Sequence, residues 1–175
     1  MQTQGNKAMI LAAGLGTRLR PLTDHKPKAL VEWEGLPLLE HVVLKLKSQG
    51  FTQIIINVHH HAEMIMEYVR SRKHFGIHIT FSHEKEELLD TGGGIARASW
   101  FLKEGPFLVY NVDVNSDLDV DALYRAHLRH GAIATLAVKD RVTSRSLLMN
   151  QEGWLKGWRD NRSGETILVD PDQED

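Results

Sequence analysis

The chain has 175 residues, a net charge of -2 and 42% hydrophobic residues, enough for one domain with a substantial buried core and too little for two comfortable ones. So small a charge excludes a broad basic face for neutralising a nucleic-acid backbone, and any anionic partner should be small. The lack of cysteine removes disulfides, thiolate metal sites and thiol nucleophiles together, and is compatible with the cytoplasm.

Near the N-terminus the apolar run AMILAA ends in glycine, which predicts a buried strand emptying into a loop. It is too short to span a membrane and lacks the pattern of a secretory signal, so a soluble cytoplasmic protein with no membrane partner is expected. PLLEHVVLKLKSQGF places Leu38, Leu39, Val42, Val43 and Leu46 on one helical face, with Gly50 where a C-terminal cap belongs. QIIINV predicts a second buried strand, and HAEMIMEYVRSRK a second helix. The alternation continues with GIHITFS, PFLVYNVD and AIATLAVKD as strands and GIARASWFL and DVDALYRAHLRHG as helices. Strands separated by helices of this length predict an α/β fold, a Rossmann-like, mostly parallel sheet with helices on both faces. From SLLMN onward, short apolar runs joined by EG and SG turns predict C-terminal antiparallel hairpins. Residues 1–175 are therefore expected to form a single domain.

Ligands of such sheets sit beyond the carboxyl ends of the strands. The loop AAGLGTRLRP falls there, and Gly14 and Gly16 leave room for backbone N–H groups to approach an anion closely. It is neither a dinucleotide fingerprint, because position 19 is leucine, nor a Walker A loop, because Gly16 is followed by Thr17 and Arg18. Arg18 offers a planar fork of donors and Lys28 a compact charge, both suited to phosphate oxygens. A surface loop with solvated cations is the alternative. Asp113 and Asp140 end predicted strands, where each either serves a site or caps a turn. The run His59, His60, His61 and Glu63 is too closely spaced for a metal site and is expected to cap the following helix and line the cleft rim. Trp154 and Trp158 are expected on one face of a strand, in packing or at an interface.

LAAGLGTRLRPLTDHKPKAL resembles the signature of the sugar-phosphate nucleotidylyltransferase family: a strand, G-x-G-T-R, a spacer, P-L-T, then P-K before an apolar segment. LLDTGGGIARA and YNVDVNSDLDV resemble two further elements of that family, and the likeness runs from Ala8 to about Trp158. It is strongest toward the subgroup of uridylyl- and guanylyltransferases that act on N-acetylmuramate 1-phosphate and mannose 1-phosphate. The resemblance implies an enzyme that joins a sugar 1-phosphate to a nucleoside triphosphate, UTP or GTP by preference, giving a nucleotide sugar and pyrophosphate with Mg2+ as cofactor. It implies nucleotide contacts at Leu11, Ala12, Ala13, Gly14, Gly16, Thr17, Arg18, Lys28, Gly92 and Gly93. Arg18, Lys28 and Asp113 would be catalytic, with Asp113 the metal ligand, and Asn111 and Asp140 would hold the sugar phosphate. Arg20 is expected to be structural.

Three departures from the family pattern stand out. Val112 stands where glycine is common, which either crowds the approach to the metal or selects a different backbone angle, Asp90 stands where glutamate is frequent, and relatives continue past Trp158 with a second metal carboxylate. The expectation is thus a shortened family domain, able to bind nucleotide but impaired in turnover. The competing readings are a catalytically silent nucleotide-binding or regulatory module, a phosphocholine cytidylyltransferase on the same scaffold, and a plain interaction domain. Sugar identity and oligomeric state have no signal in the sequence.

Overall fold

The computed structural model describes residues 6–169. The chain divides into two compact units, one ending at Thr135 and the other beginning at Leu136.

The first unit runs β1 (Asn6–Leu11), a ribbon of β2 (Glu32–Trp33) and β3 (Leu36–Pro37), α1 (Leu38–Ser48), β4 (Phe51–Val58), α2 (Ala62–Ser71), β5 (His78–His83), α3 (Asp90–Arg97), α4 (Ser99–Leu102), β6 (Phe107–Asn111) and α5 (Val120–His130). Its sheet has the order β5-β4-β1-β6, and every pairing in it is parallel. The strands succeed because both faces of the sheet are covered, which calls for continuous apolar runs rather than alternation. Ala8, Ile10, Ile54 and Ile56 enter one core with α1, α2 and α5, while Met9 and Ile55 enter another with α3 and α4. The period of two along each strand thus sends successive side chains to opposite helical layers.

β1 is flanked by β4 on one side and β6 on the other. A crevice at the carboxyl ends opens where the chain switches sides of a strand in this way. Leu11 stands opposite both Asn57 and Asn111, so the three strands reach that end together.

α5 begins at Asp119, whose side chain accepts the Ala122 N–H at 2.8 Å, and ends at Gly131 in the left-handed conformation. α2 starts differently from expectation. His61 occupies its cap position but makes no side-chain capping bond, because its backbone is left-handed (φ 56) rather than extended.

The helix expected over GIARASWFL starts earlier, at Asp90, and is interrupted at Ala98. The strand expected over AIATLAVKD is absent: residues 132–143 form no helix or strand, and Ile133, Leu136 and Val138 are exposed. Strand propensity is realised only where a ladder partner and a buried face are supplied, and this run has neither.

In the second unit β7 (Arg145–Met149), β8 (Leu155–Asp160) and β9 (Thr166–Leu168) form an antiparallel meander, as the turn signals predict. The Asp160 carboxylate ties the turn after β8 by accepting the N–H groups of Arg162 at 2.8 Å and Ser163 at 3.3 Å. Trp158 lies within β8, partly buried beneath the Arg145 guanidinium, whereas Trp154 precedes the strand and is exposed. Among the described residues no helix is long and apolar enough to cross a membrane.

Candidate active site

The loop leaving β1 is held from inside. Ala12 and Ala13 are buried, and Ala12 N–H donates to Asn57 Oδ1 at 2.7 Å. Gly14 is exposed, and a methyl there would stand 3.8 Å from Lys28 Nζ. Gly16 adopts φ 67, and a Cβ would meet the Thr23 methyl at 2.9 Å and Lys28 Cβ at 3.1 Å, so backbone and space both demand glycine. Buried Thr23 locks the bend by donating its hydroxyl to Gly16 O at 2.9 Å. Thr17 and Arg18 follow in a short 3-10 turn with their side chains exposed. Arg20 pairs with Asp24 at 3.5 Å, in keeping with a structural role.

Lys28 opens a second 3-10 turn, anchored by buried Ala29 and entered through the extended backbone of Pro27. Its ammonium donates to Asp113 Oδ2 at 2.7 Å. Asp113 lies two residues beyond β6, and Val112 between them donates its N–H to Leu11 O at 3.2 Å, extending the ladder by one bond. The Val112 side chain is 1% exposed and packs in the core with Ile10 and Ala12. The Val112 side chain therefore turns into the core, and the crowding expected at Asp113 does not occur. Burial pushes the Asp113 carboxyl up, but the hydrogen bond and charge of Lys28, its own backbone N–H and the Arg18 charge hold it below the usual range. Lys28 and Asp113, distant in sequence, are thus brought together beside the glycine loop.

The other expected residues are distributed as follows. Leu11 and Asn111 are register partners at the strand ends. Gly92 and Gly93 lie in the first turn of α3 rather than in a loop. Asp140 belongs to the second unit, exposed and outside any strand. Of the histidines, His59 donates from Nδ1 to the Glu84 carbonyl. Burial, followed by the charges of His60 and His25, pushes the His61 imidazole below its ordinary value.

Two buried residues carry little signal in the sequence. Asn57 Nδ2 donates to Glu84 Oε1 at 2.8 Å, and Glu84 Oε2 accepts the Leu89 N–H at 3.0 Å. Both side chains are almost fully buried. A polar residue closing the apolar run QIIINV is the available signal for Asn57; nothing in the acidic segment HEKEE marks Glu84 as the buried member.

Among the described residues no group of three or more His, Asp or Glu side chains could hold a metal ion. The Asp113 carboxylate, two residues beyond β6, could supply one oxygen ligand to a divalent cation.

Comparison with known proteins bears on what this arrangement serves. A family model described as nucleotidyl transferase matches residues 7–146. The N-acetylmuramate alpha-1-phosphate uridylyltransferase of Caulobacter vibrioides is 44% identical over 108 residues, covering 61% of this chain and 45% of its own. Mannose-1-phosphate guanyltransferase beta-B of Xenopus laevis is 42% identical over 135 residues, covering 75% and 37%. This chain thus spans about half, or less, of the length of these relatives. The crystal structure of HddC from Yersinia pseudotuberculosis superposes with a TM-score of 0.71 at 23% identity, covering 93% of this chain and 72% of that one, a likeness of fold.

Proposed function

The chain belongs to the nucleotidyl transferase family, and we propose that it joins a sugar 1-phosphate to a nucleoside triphosphate, yielding a nucleotide sugar and pyrophosphate. The observation that carries this reading is the Lys28–Asp113 pair, 2.7 Å apart beside the glycine loop at the carboxyl end of the sheet. This ion pair neutralises itself until a polyanion and a cation arrive; then each member has a better partner. UTP and GTP are the favoured triphosphates, because the similar N-acetylmuramate alpha-1-phosphate uridylyltransferase and mannose-1-phosphate guanyltransferase transfer uridylyl and guanylyl groups.

In the proposed reaction a phosphate oxygen of the sugar 1-phosphate attacks the α-phosphorus in line. The bond between the α-phosphorus and the bridging oxygen breaks, and pyrophosphate departs with the electron pair. No general base is needed, since the monoester is already anionic at neutral pH. Catalysis is then positioning and charge. The backbone from Leu11 to Thr17 cradles the triphosphate, Gly92 and Gly93 contact the nucleotide, Arg18 faces the departing pyrophosphate, and Lys28 leaves Asp113 to bridge phosphates. Asn111, at the strand end, contacts the sugar phosphate, and Asp140 accepts hydrogen bonds from sugar hydroxyls by analogy with the family alone. Asp113 would hold Mg2+, which when bound supplies further neutralisation of the phosphates. Both units belong to one catalytic domain in this reading, supported by a family match that crosses their boundary. A cytoplasmic location accords with the cysteine-free composition.

The test is pyrophosphate release by the chain supplied with Mg2+, UTP or GTP, and N-acetylmuramate, mannose or glucose 1-phosphate, beside calorimetry with each triphosphate. Release that requires both substrates supports the reading. Nucleotide binding without release in any combination overturns transfer and leaves a binding module.

A further inference from the structure

The buried chain Ala12–Asn57–Glu84–Leu89 joins three places that are distant in sequence: the glycine loop after β1, the ends of β4 and β5, and the entry to α3. Its hydrogen bonds converge on Glu84. Ala12 N–H donates to Asn57 Oδ1, Asn57 Nδ2 donates to Glu84 Oε1, and Leu89 N–H donates to Glu84 Oε2. Glu84 is the terminal acceptor, and each of its oxygens has one donor. Its backbone is pinned as well: its N–H donates to Val58 O at 2.8 Å, and its carbonyl accepts from His59.

Gly94 completes the arrangement. A Cβ on it would stand 3.0 Å from both Asn57 Nδ2 and Glu84 Oε1. The third glycine of TGGG therefore lets α3 close over the polar pair, a different task from that of Gly92, which is exposed.

We propose that Asn57 and Glu84 are positioning residues, a hydrogen-bond relay converging on Glu84 from both ends, which sets the spacing between the Ala12–Gly16 loop and the first turn of α3 so that both engage one nucleotide. This rests on the nucleotide-binding reading above. Neither side chain needs to touch the ligand; their effect passes through the Ala12 and Leu89 amides.

The polarity of the relay supplies the test, made on the whole chain. Glu84→Gln places an NH2 group against the Asn57 NH2 or the Leu89 N–H, and Asn57→Asp places carboxylate against carboxylate. Together, N57D/E84Q rebuilds every bond: Gln Oε1 accepts from Leu89, Gln Nε2 donates to Asp, and Asp accepts from Ala12. Each single variant is expected to weaken UTP or GTP affinity about 10-fold or more, as follows from leaving a buried donor or acceptor unmade. The double variant is expected to return to within about threefold of the parent. Amide exchange should quicken at Ala12 in E84Q, although Glu84 does not touch Ala12, and slow again in the double variant.

A double variant no better than the weaker single, or Ala12 exchange unchanged in E84Q, overturns the relay. So does a fall in thermal midpoint while the folded protein keeps its parental affinity, which marks packing alone. Where the single variants do not fold, a folded double variant with parental affinity supports the relay and an unfolded one overturns it. If the parent chain binds neither UTP nor GTP, the nucleotide reading has failed, and the exchange pattern at Ala12 and Leu89 still decides whether the relay couples the two segments.

Discussion

Two of the carboxylate–cation pairs in the first unit look alike in sequence and differ in what surrounds them. Asp113 is 44% exposed at its side chain and, among the described residues, is held by the Lys28 ammonium. Glu40 in α1 is 3% exposed and is gripped by both the Arg72 guanidinium and the Tyr68 hydroxyl from α2 and its end. Burial pushes the Glu40 carboxyl up, but the Arg72 and Tyr68 hydrogen bonds and the Arg72 charge hold it below its ordinary 4.5. Burial, then the bond to Glu40 and its charge, pushes the Tyr68 hydroxyl up to about 12. An exposed pair can exchange partners when a ligand arrives, at little cost to the fold. The buried Glu40 carboxylate cannot, because without its partners it is left away from water, although Arg72 itself is exposed. The first pair therefore suits a site and the second a joint between helices.

The largest effect is expected from breaking the exposed pair. Lys28→Met should lower pyrophosphate release about 100-fold or more, the scale of one lost transition-state charge contact, while unfolding stability moves by less than about 1 kcal/mol. Retention of more than a tenth of the parental rate would remove Lys28 from the chemistry.

Breaking the buried pair should do the reverse. Glu40→Gln is expected to cost about 2 kcal/mol in denaturant unfolding, the cost of mispairing buried polar groups, with nucleotide affinity unchanged. A depressed folded-state carboxyl contributes stability fully above its unfolded value and loses it as pH falls through the folded value. The gap between parent and E40Q should hence be complete above about pH 4.5 and close on further acidification. In absorbance titration the Tyr68 hydroxyl should return from about 12 toward 10.0 in E40Q. A gap that does not change with pH would show that the carboxylate charge is not what holds α1 to α2.

The smallest effect sharpens the contrast from outside both pairs. Asp119→Ala removes the α5 cap and should cost about 1 kcal/mol by thermal or denaturant unfolding. Its pH dependence and ligand binding should follow the parent's.

The residues of the exposed pair are legible in the sequence, and their meeting is not. Glycines, Arg18 and Lys28 are packed into one stretch whose loop chemistry is local, and Asp113 ends an apolar strand, a recognisable place for a ligand-facing carboxylate. The Glu40 joint and the Glu84 end of the relay leave no such mark, and Asn57 only that of a polar residue closing an apolar run. Each is a polar residue whose partners come from another helix or strand, and an acidic position in LLEHVV or HEKEE looks solvated until the neighbouring elements are placed. AIATLAVKD shows the converse failure: a run with strand composition takes no strand conformation where nothing pairs with it.

By itself the sequence determined what depends on near neighbours: the parallel strands and their covering helices from hydrophobic period, the meander from its turns, and the glycine loop from conformational freedom that only glycine supplies. The tertiary structure alone decided which charges face each other. Register brings Asn57 and Asn111 level with Leu11, and the bends around Gly16 and Pro27 carry Lys28 back to Asp113. The physical reason is range: dihedral preference and periodicity act over a few residues, whereas a 2.7 Å contact between positions 28 and 113 exists only after the core has closed.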